Sequence, residues 1–141
     1  MGRAISLHLA QDGAAVAVWD VNRDGGKDTA DTIAKLGGVA IACVVDVSAA
    51  DAIAAAVART RSELGPVNIL VNNAGFCPLL DLTEEMWDQM MRVNLKGPFL
   101  CAKAIVPDML AAGWGRIVNI SSSSTQQGAR NMSHYVASKG G

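Results

Sequence analysis

The sequence predicts an α/β fold: a doubly wound parallel sheet with helices on both faces. Three observations predict it. Apolar strand-like runs alternate with helical periodicity along the 141 residues, no hairpin signal joins consecutive strands, and the strands are apolar on both faces. Each strand also runs into small or polar residues: Asp20, Asp46, Asn72 to Gly75, and Ser121 to Ser122. In open parallel sheets ligands bind beyond the carboxyl ends of the strands, so these four tips mark the candidate site.

Taken in order, Ala4, Ile5, Leu7, Leu9 and Ala10 make residues 3–11 a helix buried on most sides, ended by Asp12-Gly13. Residues 14–19 form an apolar strand closed by Asp20. Thr29, Ala30, Ile33 and Leu36 repeat at helical spacing over residues 25–36, and Gly37-Gly38 stops them. Residues 39–45 give a second strand with Asp46 at its end. Ser48, with Asp51 three residues on, is the expected N-cap of a helix through Leu64, carried by Ile53, Ala54, Val57 and Leu64 and ended by Gly65-Pro66. Residues 67–71 form a third strand leading into Asn72-Asn73-Ala74-Gly75. Thr83 caps a long helix that begins at Glu84 and reaches Ala112, with a kink at Gly97-Pro98 because Pro98 has no N–H for the preceding turn. Residues 116–120 are the fourth strand, a serine-rich turn follows, and the last helix starts near Ser133.

Half of the residues are apolar and 18% are charged, the balance of one soluble globular domain. A net charge of -1 and a pI near 6.0 offer no basic field to nucleic acid or to an anionic membrane. The N-terminal apolar stretch is broken by His8 and Gln11, unlike a secretory signal, and no run is long enough to span a bilayer. Cys43, Cys77 and Cys101 are an odd number without metal-type spacing. They predict no metal site and a reducing, cytoplasmic setting.

Residues 117–139 hold a short strand, a serine run, and then Tyr135 and Lys139. On a helix the last two share a face one turn apart, which sets an ammonium near a phenol. A free phenol titrates near pH 10, and a nearby cation favours the phenolate that can take a proton. A hydroxyl from Ser121 or Ser122 could then hold a substrate oxygen, giving a site that moves a proton on or off an alcohol or carbonyl. Tyr and Lys at this spacing are common by chance, and serine runs are commonly solvated turns; the other strand tips single these out. Asp20 ends a strand 18 residues after Gly2, close to the interval at which a dinucleotide-binding unit sets an acid against ribose hydroxyls. An acid there is also an ordinary turn residue. Its charge repels a 2'-phosphate and so favours NAD over NADP, while Arg3 and Arg23 keep NADP open. Asn73, Ala74 and Gly75 are small enough to admit a flat ligand to the backbone. Asn94 lies mid-helix, where an amide needs a partner or a function.

These residues resemble the short-chain dehydrogenase/reductases, NAD(P)-dependent oxidoreductases of the Rossmann type, over essentially the whole chain. Met1-Gly2-Arg3-Ala4 is similar to the tail of that family's glycine-rich phosphate loop, with Gly2 its last glycine. Asp46-Val47 resembles the pair that touches adenine, and Asn72 to Gly75 resembles the NNAG segment. Asn94, Ser122, Tyr135 and Lys139 match the catalytic tetrad in order and spacing. Ser122 precedes Tyr135 by 13 residues, the family interval, whereas Ser121 would lie against the cofactor. The resemblance implies that Tyr135 is general acid in reduction and base in oxidation, and that Ser122 hydrogen-bonds the substrate oxygen. Lys139 would also hold the nicotinamide ribose, and Asn94 would position a water relaying protons through Lys139. Also implied are NAD as cofactor, with NADP second, and a ketone, secondary alcohol or 3-oxoacyl thioester as substrate. A homo-oligomer, dimer or tetramer, is implied through the helices around residues 86–109 and after Ser133.

The resemblance begins partway through the phosphate loop and stops at Gly141, so a partial domain is expected, without a first strand or a C-terminal part. In the order 3-2-1-4-5-6 that strand lies between this chain's first and third strands. Its absence predicts a gap of about 9–10 Å with unpaired backbone on both sides, and a chain that is inactive and poorly folded alone. Two further readings are a dinucleotide-binding module without turnover, and a nucleotide-sugar epimerase. The epimerase also uses Tyr-x-x-x-Lys, but its companion motifs fit NNAG less well.

Overall fold

The computed structural model describes residues 1–77 and 82–141. Its elements are α1 (Gly2–Gln11), β1 (Val16–Asp20), α2 (Arg23–Lys35), β2 (Ala40–Val44), α3 (Ala50–Leu64) and β3 (Ile69–Asn72), then α4 (Glu84–Met91), a π-helical segment (Arg92–Lys96), α5 (Gly97–Ala112), β4 (Arg116–Asn119), α6 (Ser124–Gln127) and α7 (Ser133–Gly140). β1 pairs in parallel with β2, Val16 opposite Ala40, and β3 in parallel with β4, Ile69 opposite Arg116. The two pairs do not join. Helices α1 and α2 pack on one face of the first pair, and α3 covers its other face and meets α5, which also touches β3 and β4. The result is an incomplete three-layer α/β/α parallel sheet.

Between β1 and β3 lies a slot of about 1000 Å³, lined by both strands and by Ile5 and Leu9 of α1. This is the expected gap. It explains why α1, expected to be buried on most sides, has no buried residue: its apolar face looks into open space. β4 likewise departs from the two-faced burial its sequence suggests, with Ile117 40% and Val118 46% exposed.

The main core lies between the sheet, α3 and α5, and includes Val45, Ile53, Val57, Leu70, Cys101 and Ile105. Fully burying side chains such as Ile53 and Ile105 stabilises the fold by about 1.5–3 kcal/mol each. Asp108 ties these elements together: its carboxylate accepts from Arg61 Nε of α3 at 2.9 Å and from the Val67 N–H at 3.0 Å. Arg61, followed by the Val67 N–H, holds that carboxyl below the usual range. The third strand starts at Ile69, two residues into the apolar run, where its pairing with Arg116 begins.

Local signals set the remaining boundaries. Asn22 Oδ1 accepts from the Gly25 N–H, so α2 starts two residues earlier than the apolar spacing indicates. Ser48 is not the cap of α3. That place belongs to Ala49, which makes no side-chain cap, while both the Ser48 hydroxyl and its N–H turn to Asp46, the N–H donating to Oδ1 at 2.8 Å. The first strand starts at Val16, the Ala14 N–H having turned back to the Leu9 carbonyl. Part of the serine-rich turn is the short helix α6, which the sequence reading did not separate.

The long helix carries not a simple kink but a π turn. Pro98 has no N–H for the Asn94 carbonyl, and the Gly97 N–H bonds five residues back to Arg92. Gly97 then presses on the loop after β2, where a Cβ would stand 3.1 Å from Val47 Cγ2 and 3.2 Å from the Val47 carbonyl. The π segment aims Asn94 inward, 5% exposed. Its Oδ1 accepts from the Phe76 N–H at 3.1 Å, and its Nδ2 donates to the Phe76 carbonyl and to Ser138 Oγ, each at 3.0 Å.

Two outcomes are expected. Cys43 and Cys101 are buried, and burial pushes the Cys101 thiol up to about 11 from an ordinary 9.0. A thiol kept neutral by the fold contributes stability below pH 9.0 that is lost as pH climbs toward 11. Denaturant midpoints therefore fall across that window, less so in Cys101→Ala, and a thiol reagent labels Cys77 before the other two. Second, Asn94→Leu strands the Phe76 amide and the Ser138 hydroxyl, which costs about 2–4 kcal/mol, read as a lower urea midpoint at unchanged m.

Candidate active site

The carboxyl ends of the strands gather the polar groups that the sequence singles out. The slot takes in, at its carboxyl mouth, Gly2, Asp20, Asp46, Val47, Asn73, Ala74 and Gly75. Asp20 Oδ1 accepts from the Asn22 N–H at 2.9 Å, which holds the exposed carboxylate at the strand tip. Asp46 is held below the usual carboxylate range, first by the Ser48 N–H. Asn72 Nδ2 donates to Asn119 Oδ1 at 2.8 Å and locks the tips of β3 and β4 together.

A second cluster forms around α7. Lys139 Nζ donates to the Ile120 carbonyl at 2.9 Å, and Ser121 Oγ to the Lys139 carbonyl at 2.8 Å, so α7 is tied to the end of β4 at two points. Burial lowers the Lys139 pKa. A Cβ on Gly75 would stand 3.0 Å from both Asn94 Oδ1 and Lys139 Nζ. Gly75 is therefore the close-packed point between the NNAG segment, the π turn and α7. Ser138, 2% exposed, donates to the Tyr135 carbonyl at 2.8 Å while accepting from Asn94. Ser122 Oγ lies 2.8 Å from Ser124 Oγ.

These contacts bring Gly75, Asn94, Ser121 and Lys139 together directly. Tyr135 is half-buried on the same helix, one turn before Lys139. A cavity of about 330 Å³ is lined by Asn94, Ser121 and Lys139, with Tyr135 and Ser122 outside that lining. Asp20, Asp46 and Val47 form a separate stretch along the slot mouth. Sequence reasoning missed Ser138, whose one signal is its place between Tyr135 and Lys139, and His134, 4% exposed with its ring centroid 6.3 Å from that of Trp87. Among the described residues no group of three or more His, Cys, Asp or Glu side chains could hold a metal ion.

The chain's own residues suit a dinucleotide. A Cβ on Gly2 would meet Asn73 Nδ2 at 2.8 Å, so the glycine lets the start of α1 lie against the Asn73 side chain without displacing it. Asn73 Oδ1 is buried there without a hydrogen-bond partner. An elongated ligand with an acid-facing end and hydrogen-bond donors fits that line of strand tips.

Comparison with known proteins agrees. The family described as short chain dehydrogenase matches residues 1–141. A 2-dehydro-3-deoxy-L-rhamnonate dehydrogenase (NAD(+)) of Sphingomonas sp. is 35% identical, covering all of this chain and 57% of that protein. A 3-oxoacyl-[acyl-carrier-protein] reductase FabG of Staphylococcus epidermidis is 36% identical, covering all of this chain and 59% of its own length. Among solved structures, an NAD+-bound xylitol dehydrogenase superposes with a TM-score of 0.91 at 31% identity, over 99% of this chain and 55% of the other. A metagenomic short-chain oxidoreductase solved with NADP gives 0.89 at 35% identity, over 98% and 64%. The chain thus spans somewhat more than half the length of the curated relatives it matches. With its parallel strand tips, its NNAG segment and its Tyr-x-x-x-Lys helix, the chain belongs to the short-chain dehydrogenase family.

Proposed function

We propose that this chain carries the dinucleotide cradle and proton-transfer residues of an oxidoreductase that moves a hydride between NAD(H) and a ketone or secondary alcohol, 3-oxoacyl thioesters included. The observation that carries the reading is the anchoring of Lys139: its ammonium is held against the Ile120 carbonyl, beside Gly75 and one helical turn from Tyr135. A bound nicotinamide supplies or accepts the hydride at the substrate carbon.

The chain's part is the proton. In reduction Tyr135 gives its hydroxyl proton to the substrate oxygen, and in oxidation it takes that proton back. Ser122 donates a hydrogen bond to the same oxygen and fixes which carbonyl lone pair faces Tyr135. One of the three ammonium protons of Lys139 is spent on Ile120, and the others are free to favour negative charge on the phenol oxygen. Asn94 acts as a positioning residue. Its amide holds the Phe76 backbone and Ser138, and through Ser138 the turn of α7 that carries Tyr135.

Selection of NAD follows from charge. Asp20 stands at the slot mouth, and Arg3 already donates to the Asp28 carboxylate and to Thr32 Oγ1, the latter at 3.1 Å, so its charge is taken up by an acid. Cofactor and substrate are carried by residues on four strand tips and α7, in a reducing cytoplasm to which three cysteines outside any disulfide are suited. The full-length protein works as a homo-oligomer, and Phe99 and Leu110, 60% and 76% exposed on α5, give that association an apolar surface.

In the chain extended to the length of its relatives, Tyr135→Phe lowers kcat by about 10²–10⁴-fold while leaving the NADH dissociation constant within a factor of about two. Retained turnover overturns the role given to Tyr135. Fluorescence titration of the same protein shows NADH binding more tightly than NADPH, and Asp20→Ser narrows the difference by about tenfold, roughly the 1.4 kcal/mol of one lost charge repulsion.

A further inference from the structure

The edge of β2 that faces away from β1 has the chemistry of a pairing surface. The Val16 N–H bonds to the Val39 carbonyl and the Val45 N–H to the Asp20 carbonyl. Successive residues of a parallel ladder alternate sides, so Val39, Ile41, Cys43 and Val45 turn their backbone groups to β1. Ala40, Ala42 and Val44 turn theirs outward. Among the described residues no strand pairs with that outer edge.

The segment itself does nothing to discourage a partner. Residues 39–45, VAIACVV, hold no charge and no proline, and the register with β1 runs unbroken from Ala40 to Val44. Val39 and Val44 are 59% and 52% exposed. An uncharged, β-branched stretch at an open edge is a template for its own kind, and proteins commonly blunt such an edge with a charge, a proline or a bulge in the strand.

Here the charge arrives from α3. Arg59 Nη1 donates to the outward carbonyl of Ala42 at 2.9 Å and lies 3.7 Å from Cys43 Sγ, so the guanidinium rests across the strand. Its Nε donates to Glu63 Oε1 at 2.6 Å, one helical turn on, which tethers it there. The capped carbonyl is the middle one of the three. Two copies joined here about a twofold axis would run β2 antiparallel to β2, with Ala42 opposite Ala42 and Ala40 opposite Val44, each pair exchanging two N–H···O bonds. Arg59 occupies the acceptor of the central pair in each copy, and the two guanidinium groups would meet.

We infer that the outer edge of β2 is a self-pairing surface that fits the same strand of a second copy, and that Arg59, held by Glu63, keeps it closed. The surface is separate from the α5 face proposed for the working oligomer. The inference stands apart from the catalytic reading.

The test uses the chain extended to the length of its relatives, whose mass in sedimentation sets the baseline. Arg59→Met keeps the stem over Cys43 and removes the cap. The expected result is a species of twice the baseline mass across the micromolar range, with exchange of the Ala40, Ala42 and Val44 amides slowed about tenfold or more. Val44→Pro removes one outward donor and no β1–β2 bond, so adding it to Arg59→Met restores the baseline mass. Glu63→Ala, at a half-exposed helix position, gives weaker association through the same amides and carries the test if Arg59→Met does not fold. Baseline mass in the folded Arg59→Met protein, or in Glu63→Ala where that variant carries the test, would overturn the inference. So would association that survives Val44→Pro or that protects amides elsewhere.

Discussion

Every strand in a parallel sheet has two hydrogen-bonding edges, and β1 and β3 each satisfy one of them. A buried amide or carbonyl without a partner costs on the order of 1–3 kcal/mol, so the slot between these edges governs the architecture around it. It leaves the apolar stripe of α1 without a floor. It divides the sheet into two pairs held together mainly by α3 and α5 packing behind them. It also sets the carboxyl tips of β1 and β3 on either side of one cavity, the place where the residues proposed to bind a dinucleotide collect.

Away from the slot, rigidity comes from a few side chains that each serve several backbone elements. Asp108 joins α3, α5 and the approach to β3 through one carboxylate. Asn94 joins the π turn, the NNAG segment and α7 through one amide. Lys139 and Ser121 exchange bonds with each other's strand-end or helix backbone, which fixes α7 against β4. The proton transfer proposed for Tyr135 needs its groups held to within a few tenths of an ångström. A helix of eight residues at the end of the described chain would not supply that alone, and these cross-ties are what supply it.

The π turn shows how one covalent constraint reaches the site. Pro98 withdraws a donor from the helix, the register slips by one residue, and Gly97 closes the slip by bonding to Arg92. The slip turns Asn94 into the interior and brings the helix against Val47, close enough that a Cβ at position 97 would press on Val47. An amide that is a poor helix former thus sits where the helix is already broken, and its hydrogen bonds offset the disruption.

By itself the sequence determined the order and kind of the elements, because hydrophobic period and Gly, Pro and Asn punctuation are local properties of the chain. It also determined that Asp20, Asp46, the NNAG segment and the serine run end strands, and that Tyr135 and Lys139 share a helical turn. Even the gap followed from the pattern, since a strand order read from topology shows where a neighbour is lacking. Tertiary structure alone decided what each polar group bonds: the Phe76 backbone and Ser138 for Asn94, the Ile120 carbonyl for Lys139, and the Asp108 carboxylate for the Val67 N–H. It decided too that α1 would stay uncovered and that Ser48 would lose its capping place to Ala49. The physical reason is that periodicity records which face of an element is apolar. The partner of a donor or acceptor depends on groups many residues away, brought within about 3 Å only when the layers close.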